Sequence, residues 1–335
     1  DRAGVIDVAP SDLGRQLAAL KNQLKNLQTA TPTVMVMAEM KSPRKTYVLS
    51  RGQYDSPTEM EVKAGLPSVL GFLPADAKAD RLALAKWLAS QDNPLTARVT
   101  VNRYWQLHFG VGLVKTLEDF GSQGEWPSHP QLLDWLAREF VESGWDVKAL
   151  VKQIVMSETY QQTSKTTPDR FENDPENRLL SRGSRFRLDS EIIRDQVLAT
   201  SGLLNDDLYG KSVKPPQPAG LWKTVSMPSS YPRIYEPDTG DKIYRRSIYI
   251  FWKRGMPPPQ MTILNAPSRE ACIARRERTN TPLQALLLMN EPEYLKAARH
   301  FAHETISDRS LSPADRLAVL YETITSKQPV AGESE

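Results

Sequence analysis

Between Ala266 and Asn290 the chain reads APSREACIARRERTNTPLQALLLMN, which gathers its only cysteine, Cys272, and four arginines ahead of a marked helix start. Thr281 can cap that helix, Pro282 takes the first helical position where its missing N–H costs nothing, and Gln284 can reach back to the Thr281 N–H. Free backbone N–H groups there carry the positive end of the helix dipole, so arginines beside them suit an anion. From Lys242 to Arg278 there are nine basic and two acidic residues, a net +7 against +3 for the whole chain. The candidate ligand-binding residues are therefore Arg245, Arg246, Arg254, Arg275, Arg276, Arg278 and Asn280, with Trp105 as an aromatic partner. Tyr244, Tyr249, Phe251 and Trp252 lie among the arginines, and stacking with planar anion recognition is what arginine does better than lysine. The competing expectation is that these arginines pair with carboxylates elsewhere or form a solvated face.

Cys272 has two readings. Arg275 and Arg276 would lower its pKa and make it a nucleophile. No histidine stands nearby in sequence, and a lone cysteine commonly behaves as a small buried apolar residue. The balance favours burial.

A second constellation is Asn102-Arg103-Tyr104-Trp105-Gln106-Leu107-His108. Helical spacing places Trp105 and His108 on one face and pairs Asn102 with Gln106. Asp119, Glu125 and His129 follow in the next loop. His108, Asp119, Glu125 and His129 are the catalytic candidates, as an acid–base set, and no spacing among them is diagnostic of a metal site. His300 and His303 read as a helix-surface feature. No Walker loop, GxGxxG, GxSxG or CxxCH haem-attachment motif is present, and Asp119-Phe120-Gly121 lacks the other parts of a kinase site.

The elements that must position these residues read as mostly helical. Ser11 can cap a helix to about Gln28, with Leu13, Leu17, Leu20, Leu24 and Leu27 as a stripe suited to docking or to a coiled coil; docking is favoured. Val34–Met37 and Thr46–Leu49 read as two strands turned at Ser42-Pro43-Arg44, with 51–74 mostly loop. Helices are expected at 81–90, 95–109, from a Ser128-x-x-Gln131 capping box to 143, at 147–157 behind Asp146, and at 188–201. Residues 165–177 look mobile, 205–241 read as a long packed loop, and Ser247–Trp252 (SIYIFW) looks strand-like. Two helices close the chain, at about 292–306 and 313–325. The expected fold is mainly α, an irregular multi-helix domain with a small β-hairpin and short strands.

The small net charge argues against a nucleic-acid partner, and no apolar run approaches the ~20 residues of a membrane span. One cysteine excludes an internal disulfide. The first residues are not a signal peptide, and the chain reads as a piece of a longer protein.

The segments NRYWQLHFGVGLVKTLEDFGSQGEWPSHPQLLDWLAREFVESGWDVKALVKQIVMSETYQQ, DPENRLLSRGSRFRLDSEIIRDQVLATSGLL, YRRSIYIFWKR and REACIARRERTNTPLQALLLMN resemble the C-terminal domain of unknown function of planctomycete-type cytochrome c-associated proteins. The resemblance runs from about Arg51 to the C-terminus. It makes 1–50 the tail of a preceding region and 51–335 the family domain. It implies an exported, extracytoplasmic protein in a redox or polysaccharide-degrading setting, with other domains of the same polypeptide as partners. It implies no cofactor in this segment; a c-type haem would belong to parts of the full-length protein outside this sequence. It supplies no catalytic residues. Two functions follow as expectations: a module binding an anionic small molecule or acidic polysaccharide through the arginine centre, or an enzyme, polysaccharide-acting or redox-linked, with its site near Trp105, His108, Asp119 and the arginine segment.

Overall fold

A computed structural model describes residues 12–31, 33–42, 44–73, 77–229, 233–330 and 332. The Ser11 cap and the Pro43 turn position fall outside the described residues. The chain divides into two compact units, Asp1–Asp92 and Asn93–Glu335.

The first unit holds α1 (Asp12–Ala30), a hairpin of β1 (Thr46–Leu49) and β2 (Pro57–Val62), and α2 (Arg81–Leu88). The leucine stripe of α1 is exposed, so the expected docking is not made within its unit. The hairpin differs from the expected one. Val34–Met37 is irregular and exposed, and β1 pairs antiparallel with β2 instead, Thr46 opposite Val62 and Tyr47 opposite Glu61. The turn explains this: Ser50–Gly52 form a 3-10 turn with Arg51 and Gly52 at φ 51° and 75°, and Ser50 N donates to Ser56 O at 2.8 Å. Asp80 caps α2 through Ala83 N.

The second unit begins with Asn93, whose Oδ1 accepts from Leu95 N and Thr96 N and starts α3 (Thr96–Phe109). Gly110, at φ 81°, ends α3 in the left-handed conformation that glycine adopts without strain. Next come α4 (Pro130–Glu142) and α5 (Val147–Val155). Apolar residues at spacings of three and four, Val101, Trp105 and Phe109 on α3, Leu133, Leu136 and Phe140 on α4, and Leu150 and Ile154 on α5, meet in one core with Leu113 and Val114. Trp105 stacks on Phe109 at 4.2 Å within it. Asp146 caps α5 through Ala149 N, as its position suggests. The Ser128–Gln131 capping box does not form. His129 is the cap residue of α4 without a side-chain bond, and Ser128 turns instead to Leu113 O, because Leu113 O also accepts the Ser128 N–H.

After α5 the chain forms α6 (Pro168–Asn173), capped by Thr167. The stretch expected to be mobile is hydrogen-bonded: buried Asp174 accepts from Arg178 N at 2.7 Å and Leu179 N at 2.8 Å. Then come α7 (Ser190–Thr200), α8 (Leu221–Val225), α9 (Pro259–Ile263), α10 (Pro282–Asn290), α11 (Pro292–Ser307) and α12 (Pro313–Thr325). The 205–241 segment is irregular but packed, with Trp222 buried against Tyr235 and Phe251. Ser247–Trp252 is not a strand. Ser247–Tyr249 form a 3-10 turn, and one parallel bridge, Val213 to Ile250, replaces a ladder. Ser247 is held there by Asp195, which accepts its N–H at 2.7 Å and its hydroxyl at 2.6 Å. The fold is mainly α with one small hairpin, and among the described residues no helix is long and apolar enough to cross a membrane.

Candidate anion-binding site

The expected helix start is present in full. Thr281 Oγ1 accepts from Gln284 N at 3.3 Å, and Gln284 Oε1 accepts from Thr281 N at 3.1 Å. Gln284 is itself buried, and its Nε2 donates to Ile263 O at 2.9 Å and Asn265 Oδ1 at 2.9 Å. The capping box therefore also ties α10 to the end of α9.

The candidate arginines separate into three kinds. Arg245 is buried. Its Nη1 donates to Lys211 O at 3.0 Å, its Nη2 donates to Asp207 O and Tyr209 O, and it stacks 3.8 Å from the Tyr249 ring centroid. It clamps main chain. Arg246 and Arg275 are exposed, as is Asn280, and exposed Arg254 lies 3.4 Å from Glu270. Arg276 and Arg278 are half-buried and face cavities. Trp105 lies in the core, 5% exposed, and lines neither of these cavities.

Arg276 Nη1 donates to Glu191 Oε2 at 2.5 Å, and its Nε lies 3.7 Å from Asp189. Burial works to raise the Glu191 pKa, but the bonds from Arg276 and Ser190 outweigh it and hold the carboxyl below the usual range. A carboxyl with a depressed folded pKa adds stability above its unfolded value and loses it as pH falls. Below about pH 4.3, the ordinary glutamate value, wild type is expected to lose stability more steeply than Glu191→Gln. Acid titrations followed by circular dichroism check this, and parallel curves would refute it.

Cys272 is exposed, against the expectation of burial. Residues 271–273 are all exposed in an irregular run with no helix or strand to fold them inward. Cys272 borders a cleft of about 550 Å³ with Arg103 and Gln106 of α3, Arg269, Arg276 and Arg278.

Three of the four catalytic candidates make hydrogen bonds to near neighbours in sequence. His108 Nδ1 pairs with Tyr104 O at 2.8 Å, and His129 Nδ1 with Ser128 Oγ at 3.0 Å. Asp119 Oδ1 accepts from Gly121 N at 2.6 Å in its own turn. Glu125 lines a separate groove with Trp126 and Asp134. Among the described residues no three His, Cys, Asp or Glu side chains are grouped to hold a metal.

A second cavity, of about 450 Å³, is also lined by Arg278. Arg182 and Arg185 line it, with Asn177, Ser164, Ser184 and the rings of Phe109, Phe171 and Phe186. Sequence reasoning missed Arg182 and Arg185. The signal was the Ser181–Arg187 run, SRGSRFR, with three arginines in seven residues. Arg278 lies 4.5 Å from the Phe186 ring centroid and donates through Nη1 to Gly110 O at 2.9 Å. Gly110 is needed there: a Cβ would meet the Phe186 ring at 2.7 Å. Gly183 is needed beside Arg182, since a Cβ would meet Gln162 O at 2.4 Å, and its N–H donates to Thr163 O at 2.9 Å. Arg182 is 9% exposed. Its Nη2 donates to Pro175 O at 2.9 Å, while its buried Nη1 has no partner, nor has Nε of Arg278. The single acid on this lining, Glu176, is already paired with Lys115 Nζ at 2.8 Å. Nearby, burial pushes the Arg187 guanidinium down from its usual value; Asp189 opposes this, and the charge of Arg278 adds a smaller push in the same direction as burial. Among the described residues this lining carries Arg182, Arg185 and Arg278 against one acid, Glu176.

The chain belongs to the family described as PSD1, protein of unknown function (DUF1553), whose model matches residues 80–335. No curated protein and no solved structure matches it.

Proposed function

We propose that this DUF1553 protein is an anion-binding module of an exported multidomain protein, with an acidic polysaccharide as the ligand class. One observation carries the reading: Arg182, Arg185 and Arg278 share a cavity whose only acid is already paired, and Arg182 keeps a buried N–H group without a partner. Leaving such a donor unpaired costs about 1–3 kcal/mol, which an anion entering the wall would offset. Guanidinium groups bind carboxylate or sulfate through paired charge-assisted bonds. The cleft at Arg276 and Cys272 shares Arg278 with this cavity. The exported setting and the cytochrome c association rest on the resemblance of residues 51–335 alone.

The test is a titration of polyglucuronate against the chain at low and high salt. Affinity is expected to fall with salt. Arg185→Ala and Arg278→Ala should each weaken it about tenfold, the equivalent of one lost charge-assisted bond. Arg185 is exposed, so its variant keeps the fold. No binding, or binding indifferent to salt and to both substitutions, overturns the proposal.

A further inference from the structure

Among the residues that line the cavity of Arg182 and Arg278, an acceptor as well as donors lack partners, and none of these atoms is open to water. Asn177 lines it, and its Oδ1 is buried without a hydrogen-bond partner. The orientation of this amide is fixed. Its Nδ2 donates to Arg182 O at 2.8 Å, so a flip would set oxygen against oxygen. Asn177 also sits at φ 53°, a left-handed position that asparagine tolerates better than most residues. The backbone thus holds this acceptor in place beside Arg182.

A simple anion cannot satisfy such a wall. It accepts from the guanidinium groups and is repelled by an amide oxygen. A neutral alcohol satisfies the oxygen and leaves the arginines without an anion. A ligand with both an anionic group and a neighbouring hydroxyl satisfies both. Ser164 and Ser184 add hydroxyls that donate or accept, and Phe109 and Phe171 give apolar walls for ring C–H groups. The unmet atoms have no surface open to water, so a ligand bonds to them only by displacing the atoms that cover them; of the lining residues, Phe171 and Arg185 are exposed side chains.

We infer that the cavity selects polyhydroxylated anions of the sugar-acid type over simple anions, with Asn177 reading the hydroxyl and Arg182 and Arg278 the charge. This rests on the anion-binding reading and goes beyond it. Sugar acids and sugar sulfates share the required chemistry, and the titrations separate them.

The experiment compares glucuronate, glucose 6-sulfate, acetate, inorganic sulfate and glucose by calorimetry on the intact chain. Glucuronate is expected to bind at least about tenfold more tightly than acetate, as one added hydrogen bond implies. Asn177→Gly, which keeps the positive φ, should erase that advantage, so that glucuronate and acetate bind alike. Equal affinity for glucuronate and acetate, both lost in Arg278→Ala, overturns the hydroxyl selection while the anion reading stands. Glucose 6-sulfate binding better than glucuronate reassigns the acid to a sulfate ester and overturns the sugar-acid assignment. No binding by any of the charged ligands overturns both. The wild-type comparison holds even where Asn177→Gly fails to fold.

Discussion

Arg194→Ala is expected to destabilise the second unit by about 3–5 kcal/mol, the usual cost of leaving one half of a buried ion pair behind. Arg194 is fully buried on α7. Its Nε donates to Glu293 Oε2 at 2.8 Å and its Nη2 to Glu293 Oε1 at 2.5 Å. The same guanidinium reaches Arg245 O at 2.9 Å and Ile243 O at 2.8 Å. One side chain therefore joins α7, the start of α11 and the 243–245 segment. Removing it strands a carboxylate that is 8% exposed, with only Gln260 Nε2 at 3.1 Å left to it, and leaves two carbonyls unpaired. Urea unfolding measures the loss. The double replacement Arg194→Met with Glu293→Leu should recover much of it, because no buried charge then remains. A loss under about 1 kcal/mol in the single variant would show that water or rearrangement compensates, contrary to this account. The prediction also bears on Arg245, because Arg194 holds the backbone carbonyl of Arg245, whose own guanidinium clamps the 207–211 carbonyls.

Features that depend on a few neighbouring residues were legible in the sequence. The Thr281–Gln284 capping box and the Asp146 cap are both present. Their geometry is settled within one helical turn. Features that depend on distant partners were not legible. Val34–Met37 has strand composition but no partner, while Pro57–Val62 pairs because the Ser50–Gly52 turn delivers it. SIYIFW lacks a second strand and is pinned by Asp195, fifty-two residues earlier. The Ser128 box lost to a Leu113 carbonyl fifteen residues back. At the site, basic residues counted along the chain put weight on Arg245, whose two Nη groups serve local carbonyls while its buried Nε has no partner. They missed Arg182 and Arg185, which reach Arg278 only because 162–183 folds back on itself. Charge density in sequence does not say which guanidinium groups remain unspent; the number of nearby carbonyls decides that.

Asn102→Ala is expected to cost about 3 kcal/mol and to weaken anion binding at a distance. Asn102 has no exposed surface. Its Oδ1 accepts from Val114 N at 2.9 Å and its Nδ2 donates to Val114 O at 2.9 Å. Truncation leaves both buried backbone groups unpaired, at roughly 1–3 kcal/mol each. The same loop is held from the other side by Arg178, which donates to Gly112 O at 2.8 Å and Leu113 O at 3.0 Å. Gly112 leaves no slack: a Cβ there would meet Val114 O at 2.6 Å and the Asn102 amide at 2.7 Å. Gly110, two residues before, supplies the carbonyl that orients Arg278. A loop loosened at Asn102 therefore frees the Arg278 anchor and also shifts Gly110 and Val111 of the cavity wall, although Asn102 itself does not line the cavity. Because Asn102 and Arg178 hold one loop, their double-mutant cycle should show coupling of about 0.5–3 kcal/mol in stability. Polyglucuronate affinity should fall in Asn102→Ala by less than in Arg278→Ala, since the guanidinium remains. Additive stability losses in that cycle, or anion affinity unchanged by Asn102→Ala under native conditions, would disconnect the loop from the site and leave Asn102 as a fastener of the core alone.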